Sequence, residues 1–183
     1  MNILTFGASS SKDSINQKLA VYAATQIEGA KITNPDLNDY EMPLFSVDKE
    51  NTHGIPKAAV DFKNLIDQAD GIVISFAEHN GSYTAAFKNI LDWMSRLEGK
   101  VWLNKPMLLM ASSPGGRGGQ TVLNQAHGHF PFMGGDVIAK FSLPSFYQNF
   151  EDGKGIKDET LNQLFQEALG AFTSKIEVEV AQA

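Results

Sequence analysis

The chain has no cysteine among its 183 residues. This excludes disulfides, thiolate metal sites, iron–sulfur clusters and a cysteine nucleophile. It also lacks an excess of positive charge: 15 Lys and Arg stand against 21 Asp and Glu, a formal net charge of −6. No basic excess is there to neutralise the phosphates of a nucleic acid or of an anionic membrane. No apolar run approaches the roughly 20 residues that span a bilayer. The opening MNILTFGASS has no basic segment and reads as a strand, not a secretion signal. Neither a nucleic-acid nor a membrane partner is therefore expected, and a soluble, cytoplasmic protein is. No serine sits in a G-x-S-x-G elbow, which weakens a hydrolase reading. His127 and His129 are two apart and would not share a helix face, so no metal site is expected.

What is present is an ordinary globular composition, 43% hydrophobic and 20% charged, at a length of roughly one domain. Residues 1–176 are read as one domain and 177–183 as a C-terminal tail. Short apolar runs alternate with helical periodicity. Asn2 to Phe6, Ala30 to Thr33, Gly71 to Phe76, Pro106 to Ala111 and Asp136 to Phe141 read as strands. Helices are expected from Ser14, where Ser14 and Gln17 fit a capping box, from Pro56, from Ser82 to Arg96, from about Gln120, and from Asp158 or Glu159. Tyr40 to Gly54 carries two turn signals and reads as a long loop. Five strand–helix units imply a parallel sheet covered on both faces. Strand orders 2-1-3-4-5 and 3-2-1-4-5 both satisfy that count. In either, a ligand sits outside the carboxyl ends of the strands, at the switch point.

Three polar loops would meet at that edge. The first, Gly7 to Asn16, supplies hydroxyls, free N–H groups and a helix dipole. It suits a phosphate, or is a plain turn with a serine cap. It fits neither G-x-x-x-x-G-K-[ST] nor G-x-G-x-x-G, which disfavours a nucleoside triphosphate or a Rossmann-bound dinucleotide. The second, Ala77-Glu78-His79-Asn80-Gly81-Ser82, offers a flat ring beside small residues. His79 either stacks on an aromatic ligand or is an exposed loop histidine. The third, Ser112 to Gly119, has four glycines around Arg117. It permits close backbone approach to a ligand, or forms a mobile lid.

Together the loops resemble the NADPH-dependent FMN reductase family, which includes azobenzene, quinone and chromate reductases. The resemblance covers essentially residues 1–176. The family's first loop runs roughly G-S-x-R-x-x-S-x-N-x-x-L-A, and Ser9, Ser14, Asn16, Leu19 and Ala20 match it. Its second runs P-E-Y-N-G-S and then K-N-x-x-D-W. Glu78, Asn80, Gly81, Ser82, Lys88, Asn89, Asp92 and Trp93 match. Ser11 stands where the family usually has Arg, Ala77 replaces Pro, and His79 replaces Tyr.

The resemblance implies a flavodoxin-like α/β three-layer sandwich with a five-stranded parallel sheet in the order 2-1-3-4-5. It also implies an FMN-dependent oxidoreductase with NADPH or NADH as co-substrate and a quinone, azo compound or flavin as acceptor. The implied FMN-binding residues are Ser9, Ser11, Ser14, Ile15 and Asn16 of the first loop, Ala77, Glu78, His79, Asn80, Gly81 and Ser82 of the second, and Ser113, Pro114, Gly115 and Gly116 of the third. No side chain is expected to act as a catalytic acid or base, because the flavin carries the redox chemistry. A homodimer or homotetramer is implied, with Trp93 and Arg96 as residues of the kind that anchor interfaces, or with Trp93 packed against its own sheet instead. A flavodoxin-type electron carrier is the rival, although the chain lacks that group's T-x-T-G-x-T phosphate loop. A regulatory member without flavin is a further alternative, motivated by Ser11 and His79.

Overall fold

A computed structural model describes residues 1–182. Its elements run β1 (Asn2–Ala8), α1 (Ile15–Thr25), β2 (Lys31–Thr33), α2 (Val47–His53), α3 (Lys57–Gln68), β3 (Gly71–Phe76) and α4 (Ala85–Met94). They continue through β4 (Pro106–Ser112), α5 (Gln120–His129), β5 (Asp136–Leu143), α6 (Phe146–Asn149), a two-residue pairing of β6 (Phe150–Glu151) with β7 (Gly155–Ile156), and α7 (Glu159–Gln182). The main sheet is parallel with order β2-β1-β3-β4-β5. This selects 2-1-3-4-5 from the two orders that fit the strand count.

The two-residue period of each strand divides the core into two layers. Leu4, Phe6, Ile72, Ile74, Phe76, Met107 and Leu109 pack on one face with Phe62, Ile66, Phe87 and Ile90 of α3 and α4. Ile3, Val73, Leu108 and Met110 face the other way, toward Leu19 and Ala23 of α1 and Phe165, Phe172 and Ile176 of α7. Because both faces are covered, the central strands β1, β3 and β4 read as continuous apolar runs. Near their carboxyl ends the α1 face changes character. Gly7, Ser75 and Ser112 replace aliphatic side chains, and a side chain at Gly7 would collide with the backbone of Asn16 and Gln17. That close approach seats the first turn of α1 directly on the sheet edge.

Several expectations are corrected. Tyr40 to Gly54 is loop only over residues 41–46 and at Gly54: a 3-10 turn covers Leu37–Tyr40, and α2 takes Val47–His53. Helix α2 buries none of its residues, so it shows no apolar period. Polar contacts hold it instead, a local cap in which Ser46 Oγ accepts from Lys49 N and a long-range pair of Glu50 with Arg96. The helix expected from Ser82 starts at Ala85 behind a Thr84 cap, because His79 to Ser82 form a turn. Residues 177–182 of the expected tail continue α7, and Ala183 lies outside the described residues. Trp93 is 1% exposed within its own chain. Its indole Nε1 donates to Pro43 O at 2.7 Å, and its ring meets Phe45 edge-on at 5.0 Å. Arg96 is likewise engaged by Glu50. The segment that was expected to be loop therefore covers Trp93 and pairs with Arg96, which stays exposed.

Candidate active site

The loops after β1, β3 and β4 converge at the carboxyl edge of the sheet, around an open cleft of about 240 Å³. Its walls include Ser9, Ser11, Ser14, Ile15 and Asn16 from the first loop, Ala77, Glu78 and His79 from the second, and Ser113 and Pro114 from the third. The first loop is shaped by its own hydroxyls: Ser9 Oγ accepts from Ser11 N at 3.1 Å. Ser14 caps α1 by accepting from Gln17 N at 3.2 Å. Gln17 does not complete the capping box, because its side chain instead accepts from Gly7 N and donates to Asn34 Oδ1. Ahead of Gln17, the N–H groups of Ile15 and Asn16 have no acceptor inside the helix.

No lysine or arginine is among the described cleft walls, and Asp13 adds a carboxylate at the rim. An anion here would rest on backbone N–H groups, serine hydroxyls and the positive end of α1, together a cradle without side-chain cations. These donors fit the terminal phosphate of FMN. The departure at Ser11 is consistent with this picture, since a hydroxyl stands where the family usually has a guanidinium.

Asn16 has a second role that its sequence position does not reveal. It is 2% exposed. Its Oδ1 accepts from Ser75 Oγ at 2.7 Å and from Ser112 N at 2.8 Å, while its Nδ2 donates to Ser112 O at 3.1 Å. Three of its four hydrogen-bonding positions are thus engaged inside the chain. The side chain brackets the first turn of α1 to the ends of β3 and β4, and so fixes all three loops relative to one another.

Glu78 is also committed to the scaffold. Its Oε2 accepts from Val122 N at 3.0 Å, capping α5 from a neighbouring loop where Gly119 offers no side chain. His79 and Ser82 exchange backbone hydrogen bonds of 3.0 and 3.1 Å across Asn80 and Gly81. Both central residues have positive φ, 52° and 76°, as a type I′ Asn-Gly turn requires. The hydroxyl of Ser82 pairs with Gln125 Oε1 at 3.1 Å. Asn80, Gly81, Ser82, Gly115 and Gly116 are not among the cleft walls. They belong to the turns beside it, and Gly116 lines a neighbouring groove.

Three wall residues went unassigned in the sequence: Asp13, Ser112 and Tyr147. Tyr147 arrives from beyond β5. There Ser145 N and Phe146 N donate to Gly115 O and Ser113 O at 3.0 and 3.1 Å, holding the third loop. The available signal was topological, because the segment after a parallel β5 must emerge at the same sheet edge.

The NADPH-dependent FMN reductase family matches residues 1–148. An NADPH azoreductase of Bacillus sp. (strain OY1-2) is 29% identical over 163 residues, covering 89% of this chain and 83% of that one. A quinone reductase of Escherichia coli (strain K12) is 31% identical over 147 residues, 75% of this chain and 77% of its own. FerB of Paracoccus denitrificans, a flavoenzyme NAD(P)H:(acceptor) oxidoreductase, shares the fold with a TM-score of 0.76 at 23% identity, covering 96% and 97% of the two chains. The chain belongs to the NADPH-dependent FMN reductase family. It is accordingly an oxidoreductase that uses FMN and NAD(P)H.

Proposed function

We propose that this family member holds FMN in the three-loop cleft and passes electrons from NADPH or NADH to a small acceptor, either a quinone, an azo compound or a free flavin. The observation that carries the assignment of the site is the cradle at the α1 N-terminus, whose orphan N–H groups and serine hydroxyls sit at the switch point of the sheet. When bound, FMN supplies the two-electron chemistry between nicotinamide and acceptor. The protein's part is position and electrostatics. Ser9, Ser11 and Ser14 donate hydroxyl hydrogens to the phosphate, and Ile15 and Asn16 add backbone N–H groups. Ala77 to Ser82 and Ser113 to Gly116 flank the ring. Glu78 serves as an α5 cap, so it is not assigned as a proton donor, and no catalytic acid or base is assigned.

The acceptor class follows the names of the azoreductase and quinone reductase relatives. A cytoplasmic location and a homodimer or homotetramer complete the reading. No described helix is long and apolar enough to cross a membrane, and exposed Leu44, Val47 and Phe132 offer apolar surface for association. The test is to purify the protein, identify the released cofactor by mass, and follow NADPH oxidation with a benzoquinone. FMN with acceptor-dependent turnover is expected. FAD at full occupancy, or no flavin after reconstitution, would overturn the cofactor site. FMN without NAD(P)H turnover would make the protein an electron carrier.

A further inference from the structure

A second concavity, of about 550 Å³, lies behind the third loop, between α5, β5 and α7. It contains what the FMN cleft lacks, since Arg117 and Lys140 both line it. Their heads are both anchored on α5. Arg117 donates to Thr121 Oγ1 and Lys140 to Asn124 Oδ1, each at 2.9 Å. Thr121 and Asn124 are three apart on α5, hence neighbours on one helix face. Both anchors are neutral, and neither cation has a carboxylate within 4 Å among the described residues. Glu167, also on the wall, is engaged by Gln163 at 3.0 Å. On a chain of net charge −6, two cations anchored on one helix with no described carboxylate within 4 Å leave local positive charge that suits an anion.

The wall opposite is apolar, with Ala168 and a Leu164 that is 51% exposed. One loop separates groove from cleft: Ser113 and Pro114 face the cleft, while Gly116 and Arg117 face the groove. At Gly115 and Gly116 a side-chain carbon would meet nothing within 4 Å, so open space lies beside this part of the loop. Groove and cleft thus share the third loop as a common wall.

We infer that the groove takes the adenosine 2′-phosphate end of NADPH, with Arg117 and Lys140 on the 2′-phosphate and Leu164 under the adenine. This rests on the proposed NAD(P)H activity and deepens it, making the pair a determinant of NADPH over NADH. The test measures binding of 2′,5′-ADP and of 5′-AMP to the FMN-loaded protein by calorimetry, beside steady-state kinetics with each nicotinamide. In Arg117→Ala/Lys140→Ala, the Kd for 2′,5′-ADP should rise about tenfold while that for 5′-AMP moves less than twofold, a loss on the scale of one hydrogen bond to a charged group. KM for NADPH should rise in parallel, with kcat, KM for NADH and flavin content unchanged. The charge-retaining Arg117→Lys variant should keep 2′,5′-ADP binding within about threefold, which controls for folding. Unchanged 2′,5′-ADP affinity in the double variant, equal losses for both nucleotides, or a wild-type preference for NADH would overturn the inference. Absence of all NAD(P)H turnover with 2′,5′-ADP binding intact would instead fault the proposed activity.

Discussion

Replacing Asn16 by alanine separates a structural bracket from a flavin ligand. In the folded protein the side chain satisfies Ser112 N, Ser112 O and Ser75 Oγ, all buried. Truncation leaves each without its partner, at about 1–3 kcal/mol per group. The bracket borders an open cleft, so water can partly replace the amide and the low end applies. The sum is about 3 kcal/mol, a large share of the 5–15 kcal/mol by which domains are stable. For a chain of this length that lowers Tm by about 6–12 °C. The decisive assay is thermal melting of the flavin-free protein, where no cofactor contact contributes. Flavin affinity should fall as well, as a consequence of loops losing their mutual placement. A flavin-free Asn16→Ala protein that melts within 2 °C of wild type, yet binds FMN more than tenfold more weakly, would refute the bracket and make Asn16 a direct phosphate ligand.

Ser14→Ala should show the opposite balance: about 1 kcal/mol of lost capping, a Tm change of about 2–4 °C, and a roughly tenfold or greater loss of FMN affinity by equilibrium dialysis. Ser10→Ala is its control, because Ser10 is not among the cleft walls. The Tyr83 hydroxyl is buried without a hydrogen-bond partner among the described residues, and burial pushes its pKa up to about 12. A phenol whose folded pKa lies above its unfolded value of about 10 loses its stability contribution as pH rises from 10 through 12. Denaturant midpoints should fall across that window in wild type and less steeply in Tyr83→Phe, which should be at least as stable at pH 7. Light scattering at micromolar concentration should give a mass of two or four chains, and a monomer would reject the association. Trp93→Glu should aggregate or unfold rather than dissociate, because it buries a charge inside one chain.

The parts of the fold that the sequence announces are those whose residues serve only the core. Strand β3 is legible from Gly71 to Phe76 because Ile72, Val73, Ile74 and Phe76 are covered on both faces, and only Ser75 departs from that run to meet Asn16. The neighbouring strands run one or two residues beyond their apolar stretches, and those extra residues are the ones the site needs. Gly7 lets α1 approach the sheet, and Ser112 receives Asn16. The serine-rich loop and its cap are readable because capping chemistry is local. The bracket is not, since Asn16 and Ser112 are 96 residues apart. Glu78 reaching the N-terminus of α5 is hidden for the same reason. Helix α2 escapes periodicity by burying nothing, although its Glu50 holds Arg96 while Pro43 and Phe45, just ahead of it, cover Trp93.

The contrast between cleft and groove yields a prediction about salt. In the cleft the proposed phosphate would be met by N–H groups, hydroxyls and a helix end, with no described side-chain cation. Those hydrogen bonds act at contact distance, where added ions screen little, and only the helix-dipole share, about 0.3–1 kcal/mol, is salt-sensitive. In the groove the attraction comes from two exposed side-chain charges, Arg117 and Lys140. Screening there is strong, since the Debye length falls from about 10 Å at 0.1 M to about 3 Å at 1 M. Raising sodium chloride across that range should therefore increase KM for NADPH severalfold, with little change in KM for NADH, while the fraction of protein retaining FMN after dialysis stays nearly constant. The NADPH effect should vanish in Arg117→Ala/Lys140→Ala. If FMN is lost in step with NADPH affinity, a side-chain cation must reach the flavin phosphate, and the account of a cation-free cradle fails.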